Sequence, residues 1–224
     1  MTTQGRGLLA VWTDIEPAAE AEFNEWYDRE HLGERAANPG FLNARRYGVV
    51  PAAPSYFAAY DTESLAVLGS PAYVHALRNQ TAWSQRIFTH FRETTRMIAA
   101  QTANHGNGLG GAMLTLRLAP GGAGAAALAQ ELGRRVVEST AALPGIVRVT
   151  VALGVIAGLD ADPTQPARLA AEQPRAVALL VEGNDVTHLQ HAASETLREH
   201  ALLEAGADSV LHTGLYRLQC AVMA

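Results

Sequence analysis

Two features of this chain recur at one spacing. Leu8-Leu9-Ala10-Val11-Trp12 and Met113-Leu114-Thr115-Leu116-Arg117 both read as strands. Pro39-Gly40-Phe41 and Pro144-Gly145-Ile146 each stand just before another strand, and both pairs lie 105 residues apart. Downstream the spacing becomes 121, which aligns Ser55-Tyr56-Phe57-Ala58-Ala59-Tyr60 with Ala176-Val177-Ala178-Leu179-Leu180-Val181, and Arg96 with Arg217. An insertion near Gly158–Gln173, rich in Asp, Pro, Gln and Ala, absorbs the difference and reads as a loop. Helical stretches follow the first strand of each copy, at Pro17–Ala37 and Gly121–Leu143. A second helix is expected within Glu63–Phe88, broken at Ser70-Pro71, and its counterpart at Asn184–Glu204. The last strands are expected near Arg92–Gln101 and Ser209–Val222.

Each copy therefore reads strand, helix, strand, strand, helix, strand, the ferredoxin-like order. One such unit leaves a sheet face bare, and two units can cover each other. The expected fold is α+β: two tandem ferredoxin-like (βαββαβ) repeats packing sheet to sheet as a pseudo-dimeric α/β barrel. The expected division is an N-terminal repeat carrying the site (1–103), a flexible Gly-rich linker (104–111) and a C-terminal repeat (112–224). Gly106, Gly108 and Gly111 satisfy G-x-G-x-x-G by letter. A dinucleotide site needs a helix after that motif, and here a strand follows.

Composition narrows the function classes. With 48% apolar residues among 224, a sizeable core is expected. A net charge of −5 and no basic stripe argue against a nucleic-acid partner. The single Cys220 excludes an intramolecular disulfide and a Cys-rich zinc site. No apolar run reaches membrane-spanning length, and MTTQGRG lacks the pattern of a signal peptide, so cytoplasmic residence without a membrane partner is expected.

The helix containing EFNEWYDREH, Glu22–His31, departs from an ordinary amphipathic pattern. Placed on a 3.6-residue wheel, Tyr27, Glu30 and Glu34 share the face of Phe23, with Trp26 and His31 on its flanks. Asp28, Arg29, Leu32 and Arg35 point elsewhere on that wheel. At the 105 spacing the second copy has Leu128, Leu132 and Val136 in place of Phe23, Tyr27 and His31. Polar groups among core residues cost free energy unless satisfied. A site in the first copy only is the reading that explains the contrast. Of Arg45 and Arg46 on the next strand, alternation sends one to the helix side.

Residues Glu22–Tyr47 resemble the dimeric α/β-barrel superfamily, especially its EthD-like members. The resemblance rests on Phe23, Trp26-Tyr27, Glu30-His31-Leu32, Arg35, Pro39-Gly40-Phe41 and Arg45-Arg46-Tyr47. Gly33 stands where close relatives would be expected to have proline. The resemblance implies a small enzyme without organic cofactor, its pocket between sheet and helices, with haem in a minority of members.

His31 is the candidate acid/base, since imidazole titrates near neutrality. Glu30 would orient it, Tyr27 would hydrogen-bond a carbonyl or enolate oxygen, and Arg46 would stabilise negative charge. Trp12, Trp26, Glu34, Tyr60 and Trp83 are the candidate substrate-binding residues. The expected activity is that of a cofactor-independent lyase (dehydratase) or isomerase acting on a small aromatic or polyketide-like substrate. The alternatives are a cofactor-free monooxygenase of phenols and a non-catalytic small-molecule binding protein. No G-x-S-x-G is present. Metal on the face of His188, His191, Glu195 and Glu199, or haem on His31, His75, His90 or His105, is the less favoured reading. Assembly is expected as a monomer with an internal pseudo-dimer or as a homodimer.

Overall fold

The computed structural model describes residues 6–49, 54–155 and 176–224. The expected insertion at Gly158–Gln173 lies outside the described residues. Eight strands form one closed antiparallel barrel: β1 (Gly7–Ile15), β2 (Phe41–Val49), β3 (Tyr56–Thr62), β4 (Phe91–His105), β5 (Ala112–Pro120), β6 (Ile146–Gly154), β7 (Val177–Gly183) and β8 (Ala207–Met223). Around the barrel they run β1-β3-β2-β8-β5-β7-β6-β4. The first four strands thus stand in the order β4-β1-β3-β2 and the last four in the order β8-β5-β7-β6, a ferredoxin-like arrangement in each half. The halves do more than stack: β2 pairs with β8 and β4 with β6, so both seams are hydrogen-bonded. These seams run over Ala99–His105 of β4 and Tyr216–Met223 of β8, which closes the barrel through both halves.

Helices cover the outside. Over the first half lie α1 (Glu20–Trp26), α2 (Leu32–Ala36), α3 (Pro71–Arg78) and α4 (Ala82–Phe88); over the second lie α5 (Ala125–Arg135), α6 (Val137–Ala141), α7 (Val186–Glu195) and α8 (Glu199–Glu204). Ser70 and Thr81 cap α3 and α4, accepting from the backbone N–H of Tyr73 and Ser84. Asp185 caps α7 in the same way through Thr187 and His188.

Strand alternation then sorts side chains into three cores. Leu9, Tyr60 and Ile98 face outward with Phe23, Trp26 and Leu32. Leu8, Ala10, Trp12, Phe57, Met113 and Tyr216 face the barrel interior. Leu128, Leu132, Val136 and Leu189 pack beneath the second set of helices. Every residue of β3 and β7 is buried, because each is covered on both faces.

Two expectations need correction. The expected boundary at 103/104 falls inside a strand. β4 continues through His105, opposite Val149, and a Cβ at Gly110 would lie 2.5 Å from the Gly183 carbonyl oxygen, so that glycine serves close backbone approach. The alignment of the last strands also shifts. Arg96 sits opposite Val11, and Thr213 sits opposite Leu116, so Thr213 rather than Arg217 holds the place of Arg96.

Candidate functional site

Between α1 and α2 the helix widens into one π turn, Tyr27–His31, closed by a bond from Leu32 N–H to the Tyr27 carbonyl. A π turn adds a residue to the turn and rotates the next stretch of helix about its axis. That rotation corrects the regular wheel: Leu32 and Arg35 turn inward, 0% and 4% exposed, while Glu30 and Glu34 turn to the edge of the interface. Tyr27 and His31 remain on the buried side.

His31 is 6% exposed and stands among aromatic rings. Its ring centroid lies 4.1 Å from Trp26, 5.0 Å from Tyr27, 6.1 Å from Phe88 and 6.4 Å from Tyr60. Its Nδ1 is buried with no hydrogen-bond partner. Burial, then the positive charge of Arg35, hold its pKa well below the usual imidazole range. Burial likewise raises Tyr27 and, more strongly, Tyr60, so both phenols keep their protons.

Alternation sends Arg46 to the helix side and Arg45 into the barrel. Arg46 donates to Asn24 Oδ1 at 2.8 Å and Asp28 Oδ1 at 3.0 Å, and its guanidinium carbon lies 5.1 Å from the Tyr27 ring centroid. Glu30 is not seated against the imidazole. Its Oε1 accepts from Thr81 Oγ1 at 2.6 Å, Ser84 Oγ at 3.1 Å and Trp26 Nε1 at 3.2 Å, which ties the π turn to the start of α4.

The remaining candidates divide. Trp26 and Tyr60 belong to the outer cluster around His31, and Trp83 packs partly buried against that cluster. Trp12 does not join them: it faces the opposite side of the sheet, inside the barrel, donating to Thr115 Oγ1 at 3.0 Å. Glu34 lines an open groove of about 430 Å³ with Asn38, His75 and Asn79. There burial and the neighbouring Glu30 charge raise its carboxyl pKa. Among the described residues no three His, Cys, Asp or Glu side chains gather to hold a metal. Of the histidines considered for haem, His75 lies beside the Asn79 amide and His90 pairs with Glu16.

One cluster escaped sequence reasoning. Inside one end of the barrel Arg45 bonds Asp61 at 2.8 Å and Glu182 at 2.5 Å, and Arg148 bonds Asp61 at 3.0 Å. Asn43 and Gln101 complete the shell of Asp61. A signal existed: Asp61 and Glu182 stand at the same 121 spacing as the third strands.

The sequence matches no family model and no curated protein sequence. The fold has likenesses among solved structures. An anthrone oxidase-like protein superposes with TM-score 0.70 at 11% identity, over 100% of this chain and 94% of its own. A Fusobacterium nucleatum protein provisionally assigned as a monooxygenase gives 0.59 at 9%, over 98% and 93%. A chlorite dismutase variant from Candidatus Nitrospira defluvii gives 0.54 at 12%, over 98% and 92%. These likenesses establish the shared α/β-barrel architecture; at such identities they concern the fold alone.

Proposed function

We propose that this chain is an enzyme moving a proton on a small aromatic or polyketide-like substrate, as a lyase (dehydratase) or isomerase, with His31 as the base. The observation that carries this reading is a buried imidazole, held neutral, whose Nδ1 has no partner inside an aromatic cluster. A buried polar atom left unpaired costs about 1–3 kcal/mol, and a neutral imidazole is the form that accepts a proton. In this reading His31 takes a proton from the carbon beside a carbonyl. The electron pair collapses onto the oxygen, which accepts hydrogen bonds from the protonated Tyr27 and Tyr60. The proton then returns to another carbon, or leaves with a departing hydroxyl as water.

Arg46 and Glu30 act as positioning residues, the first over the Tyr27 ring and the second beneath the π turn. Of the four rings around His31, only Phe88 is incompletely buried, so the substrate's approach passes it. No organic cofactor is needed for such a step. The two halves are read as tandem copies of one unit, EthD-like in the first, with the site in that copy only. Leu132 and Val136, at the places of Tyr27 and His31, support this.

The anthrone oxidase-like neighbour favours a second reading, cofactor-free oxidation of an electron-rich phenol or enol whose anion His31 would generate. Both readings are tested by incubating the full chain with anthrone and with enolisable aromatic ketones, following substrate loss and oxygen uptake together. Turnover without oxygen uptake supports the lyase or isomerase, and stoichiometric uptake supports oxidation. Turnover unchanged in His31→Gln would overturn both.

A further inference from the structure

The opposite end of the barrel interior from the Arg45–Asp61 network holds a second group of chemistry-bearing residues. Arg117 on β5 and His212 on β8 are register partners. The Arg117 guanidinium carbon lies 5.1 Å from the Trp12 ring centroid, and its Nε is buried without a hydrogen-bond partner. His212 Nε2 lies 3.3 Å from the Tyr216 hydroxyl, and its ring meets Trp12 edge-on at 6.4 Å. Gly214 makes this possible: a Cβ there would fall 2.3 Å from the Tyr216 hydroxyl oxygen, so only a bare backbone lets the ring lie along the strand toward His212.

The charge balance here is one-sided. Among the described residues no carboxylate pairs with Arg117. Asp14, the acid that bears on Tyr216, accepts the Ser55 N–H at 2.6 Å instead. Burial and the Arg117 charge depress His212 to about 4, so its imidazole is neutral at physiological pH. Burial raises Tyr216, which keeps its proton. One half-buried cation, two neutral hydrogen-bonding groups and apolar walls from Trp12 and Phe57 therefore share this end. A single positive charge in a partly desolvated site matches a monoanion better than a dianion. The guanidinium fork matches the two oxygens of a carboxylate.

We propose that the Arg117–His212–Tyr216 end of the barrel binds a small monocarboxylate, independently of the His31 cluster on the outer face of the sheet. The test is calorimetric titration of the full chain with benzoate, with benzamide as the uncharged isostere and inorganic phosphate as the dianion. Saturable benzoate binding is expected, with neither control binding comparably. Arg117→Gln should weaken benzoate about tenfold or more, and His31→Ala should leave it unchanged. As a second readout in the unaltered protein, the Trp12 indole N–H resonance should move with benzoate. No benzoate binding, equal affinity in Arg117→Gln, or loss confined to His31→Ala would overturn the proposal. Each of these outcomes leaves the turnover test of His31 separately decidable.

Discussion

Arg45 on β2 and Glu182 on β7 meet at 2.5 Å inside the barrel, joining strands from its two halves. Both side chains are 3% exposed or less, and Arg45 also holds Asp61. A buried pair is poor evidence of net stabilisation, but removing one partner strands the other charge in low dielectric. Arg45→Met should lower the unfolding free energy by about 3–5 kcal/mol in urea denaturation. Replacing Arg45 and Glu182 together should cost less than the sum of the single replacements.

The same network sets an acid limit. Burial alone would raise Asp61; Arg45 and Arg148 outweigh it and hold the carboxyl at about 2, below its ordinary 3.8. Because the folded value is the lower one, this contribution is present in full above the unfolded value and is lost as pH falls through the folded value. It is worth about 2 kcal/mol. Urea midpoints measured between pH 4 and pH 2 should fall in the wild type, and Asp61→Asn should flatten that part of the decline.

Glu30 separates positioning from charge. Its Oε1 accepts from Thr81, Ser84 and Trp26, and an amide oxygen can do the same. Glu30→Gln should therefore stay close to wild type, while Glu30→Ala should lose about 1–3 kcal/mol. Thermal unfolding of the two variants side by side checks this. A comparable loss in both would show that the negative charge itself matters.

Phe88 meets His31 edge-on, 6.1 Å between ring centroids, and is the one partly exposed ring of the four around it. Phe88→Ala should expose the imidazole and raise its rate of modification by diethylpyrocarbonate about tenfold, about the change expected if access costs roughly 1.4 kcal/mol less. Mass spectrometry of the His31 peptide reads it. An unchanged rate would place the approach elsewhere.

Much of the architecture was legible because it rests on short-range pattern. The recurring Pro-Gly turns and the apolar stripe Leu128, Leu132 and Val136 reflect local backbone and periodicity. The opposite facing of Arg45 and Arg46 follows from strand alternation. The site was less legible. The π turn at Tyr27–His31 is a change in backbone hydrogen bonding that a regular wheel misses, and it brought Leu32 and Arg35 inward. Trp12 went to the other face because it shares the parity of Leu8 and Ala10 on β1, while Leu9 faces the helices. Arg45 and Glu182 are 137 residues apart, and only barrel closure makes them neighbours.

Whether His31 serves chemistry or packing is decided most directly by the urea unfolding free energy of His31→Leu at pH 7, relative to wild type. An imidazole kept unpaired for function should not be missed by the fold, and stability equal to wild type or up to about 1 kcal/mol higher is expected. A loss of about 2 kcal/mol or more, the size of a broken core contact, would make His31 a structural residue and remove the base from the proposed reaction.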